Sequence, residues 1–574
     1  MRRNYLLITV TISLFMVPSI GWAGTCPSGA NYLNTSNPTG PLVTLSSMGI
    51  TSCYYIAANG SDSNDGASEA SGHPWAHAPG MPNCTANCAS NSPAGGSGYI
   101  FRGGDTWHFG DSSSTPYTGG TWQWESSGAS TGSPIYVGVD STWFSGSSWA
   151  RPILTGDNAT STSPVGSCSY IVGTSNILVY FSGVRYTILD NFELTGLCWN
   201  SASTGGEYLQ DGGAIAGAGN PAYFQNLYMH GWTHTTAGTQ GAGTGFQGYN
   251  QNYGETFQYN VIDGSDSDDL SLGPFGQGGD GYNIQYNVIR HAGGTSIFDD
   301  CHIIHDNLFE YINNVTDGST HTDVLFCYSE YAGGSSNPNL YYNNIYRDIG
   351  TEYSGPTSGV EMPSPPAGQT DYLFNEVFGD YYANQANYND ICEGGGCGAM
   401  VIFNETAENG LPGYGGGCIW CNPSAGVTSI TSVNNHWITS GTGTSAVFQT
   451  PSQVTETGAV YQTISIANGQ GYTDTNNFAP TAATNATLTA AGTNETTGYC
   501  ADSVLHNAAA EAACVAGTTD GCSYNSTSHT ISCPDITAVA RPSSGTWNVG
   551  AYQYSSSATS PTPNNPTNLT ATVP

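Results

Sequence analysis

Three aspartates and one histidine recur at spacings close to one and two structural repeats. Asp299 and Asp300 lie 19 and 20 residues after Asp280, and His321 lies 41 residues after it. General acid-base chemistry needs one protonated and one ionised group, and adjacent carboxyl groups raise one another's pKa. We therefore predict Asp280, Asp299, Asp300 and His321 as catalytic residues. The alternative is a chance Asp-Asp pair in a chain with 42 acidic residues.

Two arginines occupy equivalent places in neighbouring repeats. Arg290, Glu310 and Arg347 each follow, by three residues, the asparagine of a repeated Asn-apolar pattern. Two interpretations stay open: a salt-bridged row that offsets stacked like charge, or a groove that grips a carboxylated or hydroxylated sugar chain through the arginine forks. We predict Arg290 and Arg347 as substrate-binding residues.

Asp323 is predicted to join them. It follows His321 by two residues, so both side chains reach the same face of an alternating strand. A histidine bonded to a neighbouring turn is the alternative interpretation of His321.

A run of aspartates between residues 263 and 269 has clustered oxygen atoms that suit calcium, although the twelve-residue EF-hand loop is absent. We predict Asp266, Asp268 and Asp269 as metal ligands. The alternative is a solvated acidic turn.

These residues must be positioned by a repeated unit. An asparagine followed by two mostly apolar residues recurs six times, at steps of 35, 34, 27, 20 and 37 residues, which indicates a solenoid with insertions of variable length. An asparagine at the same corner of successive coils can hydrogen-bond to the copies above and below, and equivalent residues stack about 4.8 Å apart. The copies begin at Asn191, Asn226, Asn260, Asn287, Asn307 and Asn344. The third residue after each gives the column Leu194, Met229, Asp263, Arg290, Glu310 and Arg347, and the fourth adds His230, His291 and Asp348.

The strings NILVYFSGVRYTILDNFELTG and NVIRH resemble those of the secreted right-handed parallel β-helix proteins, the pectate-lyase-like superfamily. The resemblance implies an all-β, right-handed parallel β-helix with an asparagine ladder and long inserted loops. Residues 280 to 321 also resemble, over about 45 residues, the polygalacturonase family of glycoside hydrolases. That resemblance implies three aspartates as general acid and water-activating base, with the histidine assisting. The lysine with which that family grips its substrate is missing here.

The ends of the chain indicate export. Arg2 and Arg3 precede an apolar run, and Gly21-Trp22-Ala23 suits a signal peptidase, so we predict a signal peptide over residues 1–23. A lipoprotein anchored at Cys26 is the alternative. We divide the remainder into an N-terminal cap with the first coils (24–160), β-helix coils (161–494), a cysteine-rich closing segment (495–554) and a disordered Ser/Thr/Pro/Asn linker (555–574). We expect a secreted or extracellular monomer, at the cell surface or free, without a membrane span.

Charge excludes one class of partner. The chain contains no lysine, and six arginines outside the predicted signal peptide stand against 42 acidic residues. No basic patch can be assembled from so few cations, so nucleic-acid binding is excluded. The neutral, Gly/Ser/Thr/Asn-rich remainder suits contact with a polysaccharide or cell-surface glycan.

Sixteen cysteines in an exported chain predict disulfides. Paired as sequence neighbours they are 26/53, 84/88, 168/198, 301/327, 392/397, 418/421, 500/514 and 522/533. A four-thiolate zinc site at residues 392, 397, 418 and 421 is the alternative.

Two function classes follow. The first is a polysaccharide-processing enzyme that binds a glycan along the coils, a glycoside hydrolase rather than a lyase because the commonest lyase base, lysine, is absent. The second is a non-catalytic adhesin or structural surface protein.

Overall fold

Each turn of the chain contributes one short strand to each of three long parallel sheets. The computed structural model describes residues 23–35, 37–200, 206–212, 221–235, 243–248, 255–267, 272–276, 282–293, 297–298, 301–313, 322–326, 336–349, 357–362, 368–379, 389–391, 398–408, 419–421, 429–439, 441–448, 451–473, 478–479, 491–517, 523–525, 530–532 and 539–553. The chain runs from sheet 1 to sheet 2, then to sheet 3, and back to sheet 1 one coil further on. Neighbouring strands of a sheet come from successive coils and pair in parallel. The predicted parallel β-helix is therefore confirmed.

Within the described residues the three sheets have 10, 13 and 12 strands. Sheet 1 comprises Trp122–Trp124, Ile177–Ser182, Gly206–Gly212, Gly243–Gly248, Leu272–Gly276, Ile297–Phe298, Thr322–Phe326, Thr357–Met362, Asn389–Ile391 and Ile419–Cys421. Sheet 2 comprises Ser52–Ile56, Ser97–Gly103, Ile135–Phe144, Thr187–Asp190, Tyr223–Gln225, Thr256–Gln258, Tyr282–Gln285, Cys301–His305, Leu340–Tyr342, Thr370–Phe374, Ala399–Phe403, Ser429–Val433 and Val454–Thr457. Sheet 3 comprises Thr106–His108, Ile153–Thr155, Glu193–Thr195, Tyr228–His230, Val261–Asp263, Val288–Gly293, Leu308–Asn313, Ile345–Arg347, Val377–Gly379, Thr406–Glu408, His436–Ile438 and Val460–Gln462.

Smaller elements accompany the sheets. Two-residue strands Cys198–Trp199 and Thr233–His234 pair in parallel, and Ser523–Asn525 pairs with Thr530–Ser532 in antiparallel. The α-helices are Ala86–Ser90, Ile464–Gly469, Asp502–Leu505 and Ala508–Ala516, and the 3-10 helices are Ser46–Met48, Thr444–Ala446 and Pro451–Gln453. None of the helices in the described part of the chain is long and apolar enough to span a membrane.

The interior consists of stacked apolar rows, because alternate residues of each strand point inward. In sheet 3 the inward row is formed by the second residues of successive strands, all buried: Leu194, Met229, Ile262, Ile289, Phe309, Tyr346 and Phe378. The rings of Phe309 and Tyr346 stack with centroids 5.2 Å apart. Burial of each such side chain contributes roughly 1.5–3 kcal/mol, so the row stabilises the stacking of the coils.

From Thr187–Asp190 onward, a two-residue corner joins each described strand of sheet 2 to the next strand of sheet 3. Its first residue has a left-handed backbone, with φ between 54° and 70° in each of the described corners from residue 191 to residue 434. Asparagine and aspartate tolerate this conformation better than other non-glycine residues, and they fill seven of these positions. The residues are Asn191, Asn226, Tyr259, Tyr286, Asp306, Asn343, Asn375, Asn404 and Asn434.

The second corner residue carries the predicted asparagine ladder. The main-chain N–H and the side-chain Nδ2 of Asn260 donate to Oδ1 of Asn287 at 2.9 and 3.0 Å. The same pair of hydrogen bonds joins Asn287 to Asn307, and Asn307 to Asn344. The ladder is therefore confirmed for these four residues.

For Asn191 and Asn226 the prediction is wrong by one residue. Gln225 pairs with Gln258, which places Asn226 beside Tyr259 in the first corner position rather than beside Asn260. Both corner positions favour asparagine, one for its left-handed backbone and the other for its side-chain amide, so the local pattern looks the same. The predicted outer column shifts with it: Leu194 and Met229 point inward, and His230 pairs with Asp263 instead.

Beyond Asn344 the ladder position passes to two glutamates. Asn344 Nδ2 donates to Glu376 Oε1 at 2.7 Å, and the main-chain N–H of Glu405 donates to Asn435 Oδ1 at 2.8 Å. Both glutamates are fully buried. Burial raises the pKa of Glu376 to about 8.

Disulfides and an arginine fasten the ends of the solenoid. Four predicted disulfides are present, namely 26–53, 84–88, 168–198 and 500–514, and Cys301 is also disulfide-bonded. The side chains of the alternative zinc site lie outside the described residues, as do those of Cys327, Cys522 and Cys533. Near the C-terminus, buried Arg541 donates to main-chain oxygens of Asn548, Gly550 and Ala551 and to Asn375 Oδ1. Residues 1–22 and 554–574, with most of the predicted signal peptide and the linker, lie outside the described residues.

Candidate functional site

The predicted catalytic residues fall between described strands. Asp280, Asp299, Asp300 and His321 lie outside the described residues, as do Asp268 and Asp269 of the predicted metal site. In chain order, Asp299 follows the strand that ends at Phe298, and His321 precedes the strand that begins at Thr322. Asp323 lies in that strand, where its backbone pairs with Ser358, but its side chain is not described. Their roles stay predictions.

The predicted substrate-binding arginines lie on the outer face of sheet 3. Asp263, Arg290, Glu310 and Arg347 are the third residues of four successive strands and pair directly with one another. We call these four residues the charged stripe. The sequence predicted the position of the charged stripe correctly by counting three residues from each ladder asparagine, namely Asn260, Asn287, Asn307 and Asn344. The count works because in these coils the asparagine occupies the second corner position, directly before the strand of sheet 3.

Contacts within the charged stripe join both arginines to one carboxylate. Arg290 Nε lies 3.0 Å from Glu310 Oε1, and Arg347 Nη2 lies 2.7 Å from Glu310 Oε2. Arg290 Nη1 also lies 3.6 Å from Asp263 Oδ2. The side chain of Glu310 is only 6% exposed, whereas that of Arg347 is 33% exposed. The stripe is therefore salt-bridged, and it offers its charges outward mainly through Arg347.

Two aromatic rings flank the charged stripe at the next position along the chain. His291 and Tyr311 are half-buried, and their rings stack with centroids 4.7 Å apart at an angle of 11°. The guanidinium of Arg290 lies 5.5 Å from the centroid of Tyr311, and its Nη2 lies 3.3 Å from His291 Nε2. The rings and the arginine form one partly exposed platform.

The backbone at this platform is left-handed, with φ of 48° at His291 and 53° at Tyr311. In two earlier coils the same position is occupied by Gly196 and Gly231, whose φ values are 73° and 70°. Glycine adopts this conformation without cost, whereas other residues lose about 1–2 kcal/mol. The chain therefore holds rings where glycine would be less strained, which motivates a functional hypothesis.

Below the charged stripe a histidine is held between two acids, an arrangement that the sequence did not indicate. His230 Nδ1 lies 2.8 Å from Asp266 Oδ2, and its Nε2 lies 3.1 Å from Glu193 Oε1. The ring also stacks on Tyr228 with centroids 4.1 Å apart. Burial lowers the pKa of His230, but the two hydrogen-bonded carboxylates outweigh it and raise the pKa to about 9. His230 is therefore a cation at neutral pH.

This arrangement bears on the calcium prediction. Both oxygens of Asp266 accept from donors: Oδ2 from the imidazole of His230, and Oδ1 from the main-chain N–H of Gly231 and the hydroxyl of Ser267. A calcium ion needs oxygen ligands and is repelled by an adjacent imidazolium. Within the described residues, no group of three or more His, Cys, Asp and Glu side chains is placed to hold a metal ion. In the described residues Asp266 holds His230 and the main chain of Gly231, and its role as a calcium ligand stays a prediction.

A second residue that sequence reasoning missed lies on sheet 1. Burial raises the pKa of Glu207 to about 7, and its Oε2 has no hydrogen-bond partner within the described residues. A carboxyl group that is half-protonated near neutral pH can donate or accept a proton. The strand GEYLQDG contains two acids and gives no signal that separates Glu207 from an ordinary surface glutamate.

No protein-family model matches the chain, and no curated protein matches it. Among solved structures, it is similar to the pectate lyase Pel9A at 15% identity with a TM-score of 0.38, over 88% of this chain and 96% of that chain. It is similar to an alginate lyase from Paenibacillus sp. str. FPU-7 at 11% identity with a TM-score of 0.33, over 66% of this chain and 95% of that chain. It is also similar to a GH136 lacto-N-biosidase from Eubacterium ramulus at 11% identity with a TM-score of 0.33, over 72% of this chain and 68% of that chain.

Proposed function

We propose that the protein is a secreted polysaccharide-processing protein, a glycoside hydrolase rather than a lyase, that binds a glycan along the outer face of sheet 3. The observation that carries the proposal is the platform of His291, Tyr311 and Arg290 beside the charged stripe. Partly exposed aromatic rings can pack against the apolar faces of sugars, and arginine and carboxylate groups hydrogen-bond to sugar hydroxyls.

The shape of the solenoid supports the same proposal. Equivalent residues repeat about every 4.8 Å along the axis, so the platform is part of a long straight surface rather than a closed pocket. A linear polymer can contact several coils at once, and each contact adds to its affinity. The stacking of His291 on Tyr311 and the contact of Arg290 with Tyr311 hold the rings in place before a ligand arrives, which reduces the entropy lost on binding.

Hydrolysis is proposed to use Asp299 and Asp300 as general acid and base, with Asp280 and His321 in support. Inverting hydrolysis needs one protonated and one ionised carboxyl group on opposite sides of the scissile bond. Elimination would need a base and a cation that neutralises the sugar carboxylate. Lysine is absent, and Arg290 and Arg347 already face Glu310, which favours hydrolysis.

The test has one binding arm and one catalytic arm. Tyr311→Ala should weaken glycan binding about tenfold, the scale of one lost stacking contact. Tyr186→Ala is the matched control, because Tyr186 is also half-buried and left-handed, with φ of 51°, but lies at a different corner. Asp300→Asn should lower hydrolysis by about two to four orders of magnitude. Equal glycan binding by the two tyrosine variants would refute the platform, and full activity of Asp300→Asn on a confirmed substrate would refute the catalytic assignment.

A non-catalytic adhesin is the second candidate. It is favoured by the ion pairs inside the charged stripe, where the arginines bind the acidic side chains of the same protein. Such ion pairs stabilise a surface without requiring a ligand. A wild-type protein that binds glycans but releases no reducing ends from any polysaccharide would support the adhesin over the hydrolase.

A further inference from the structure

We propose that the glycan bound by this protein is uncharged, not a polyuronate. The inference rests on the proposed function and names its substrate class. It is carried by the position of every cationic side chain outside the predicted signal peptide. All six of these arginines lie in the described residues: Arg102, Arg151, Arg185, Arg290, Arg347 and Arg541.

Three arginines have structural roles away from the charged stripe. Arg102 binds Asp105 through two hydrogen bonds of 2.9 Å. Arg151 Nε donates to the main-chain oxygen of Asn226. Arg541 is only 4% exposed and is used to hold the C-terminal segment. A bound polymer cannot reach Arg541, and Arg102 already carries its own counter-ion.

The two arginines of the platform are also neutralised. Arg290 and Arg347 share Glu310, and Arg290 faces Asp263 as well. The charged stripe therefore has two positive and two negative side chains and no net charge. Arg185 is the remaining arginine; it is exposed and belongs to an earlier coil. One isolated cation cannot bind the regularly spaced carboxylates of a polyuronate.

The three described histidines whose pKa values are shifted do not add an unpaired positive charge. His230, the imidazole whose pKa is raised, lies between two carboxylates and so sits in a negative surrounding. Burial lowers the pKa of His302 and of His436 to about 4, which leaves both neutral at physiological pH.

Repulsion completes the argument. The 42 acidic residues give the whole chain a formal charge of −34. A polyanion approaching within the Debye length, about 8 Å at physiological ionic strength, meets a field of its own sign. An uncharged glycan meets no such barrier and can use the rings and the hydroxyl-binding groups of the platform.

The first experiment measures retention of the wild-type protein on immobilised or gel-embedded glycans in the presence of a chelator. The neutral probes are β-glucan, xylan, galactan and mannan, and the anionic probes are polygalacturonate and alginate. We expect at least one neutral glycan to retain the protein, and this retention should not change with salt. The anionic glycans should not retain it at low ionic strength. Retention by polygalacturonate or alginate that weakens as salt is added would overturn the inference while leaving glycan binding intact. If none of the glycans retains the protein, the proposed function is overturned, and this inference with it.

A parallel arm with calcium in place of the chelator identifies cation bridging. If a polyuronate is retained with calcium and released by the chelator, the acids of the protein recruit the metal and the inference of an uncharged ligand fails.

A gain-of-function variant tests the neutralisation directly. Glu310→Gln removes the carboxylate shared by Arg290 and Arg347 and should increase retention by polygalacturonate at low salt about tenfold, the scale of one charge-assisted hydrogen bond. Glu125→Gln is the matched control, because Glu125 is exposed and the change in net charge is the same. Equal retention of the two variants, with unchanged melting temperatures, would refute the role of Glu310. If Glu310→Gln does not fold, the salt dependence of the wild type still decides the inference.

Discussion

Glu376 occupies a ladder position that asparagine fills in the four preceding coils, and we predict that Glu376→Gln removes a large part of the protein's pH dependence. Glu376 Oε1 accepts from Asn344 Nδ2 at 2.7 Å and from the hydroxyl of Tyr346 at 3.3 Å. Glu405 follows in the next coil, since Val377 pairs with Thr406. Two stacked, buried carboxyl groups cannot both ionise without a large cost, so one of them holds a proton in the folded protein.

The magnitude follows from the pKa of the folded state. Burial raises the pKa of Glu376 from 4.5 to about 8. The folded protein then binds a proton that the unfolded chain releases, so the stabilisation is present below about pH 4.5 and is lost as the pH rises to about 8. At about 1.4 kcal/mol per pH unit, the loss across this window is of the order of 5 kcal/mol.

Glutamine keeps the shape and cannot ionise. Its Oε1 can still accept from Asn344 and Tyr346, and its amide can donate towards Glu405 as asparagine does elsewhere in the ladder. We expect Glu376→Gln to melt at a higher temperature than the wild type above pH 8 and at a similar temperature at acid pH. Glu125→Gln, at an exposed position, should change neither.

Circular dichroism melts on both sides of the window provide the assay. Melting temperatures are preferable to free energies here, because a solenoid of this length need not unfold in one step. If the wild type and Glu376→Gln lose melting temperature in parallel as the pH rises, Glu376 does not titrate in this window and the reasoning is wrong.

Three further predictions concern the ladder, the histidine and the cysteines. Asn287→Ala should lower the melting temperature clearly, because buried hydrogen-bonding groups of its two neighbours lose their partner at a cost of about 1–3 kcal/mol each, and an unchanged melting temperature would contradict the ladder's role. His230 should titrate near pH 9 by NMR, so that its stabilising contribution is complete below pH 6.5 and lost as the pH rises through about 9; a measured pKa near 6.5 would exclude the two-carboxylate clamp. Alkylation of the denatured, unreduced protein should add no mass, whereas thiols released by a chelator would favour a zinc site at Cys392, Cys397, Cys418 and Cys421.

The parallel β-helix could be predicted from the sequence because its signals are local. Alternating runs such as TFQYNVID determine the strands, and an asparagine at each corner marks where one sheet gives way to the next. The charged stripe was found for the same reason: from Asn260 to Asn344 the corner is intact, so a count of three residues reaches the same outer position in each coil.

The predicted catalytic residues, unlike the charged stripe, do not follow a ladder asparagine at a constant spacing. Asp280, Asp299, Asp300 and His321 were chosen from spacing and from a short family resemblance, and they fall in insertions whose lengths vary from coil to coil. Counting residues across an insertion does not determine where a side chain lies, so this assignment stays a prediction.

By itself, the sequence determined the repeating coil, four of the disulfide pairs and the ladder from Asn260 to Asn344, because each depends on residues close together in the chain. Only the tertiary structure decided which residues of neighbouring coils lie side by side. It placed Asn226 beside Tyr259 rather than Asn260, brought Glu193 and Asp266 to the two sides of His230, and stacked Glu376 beneath Glu405. These relations depend on hydrogen bonding between coils, and a difference of one residue in that register moves a side chain to a different row.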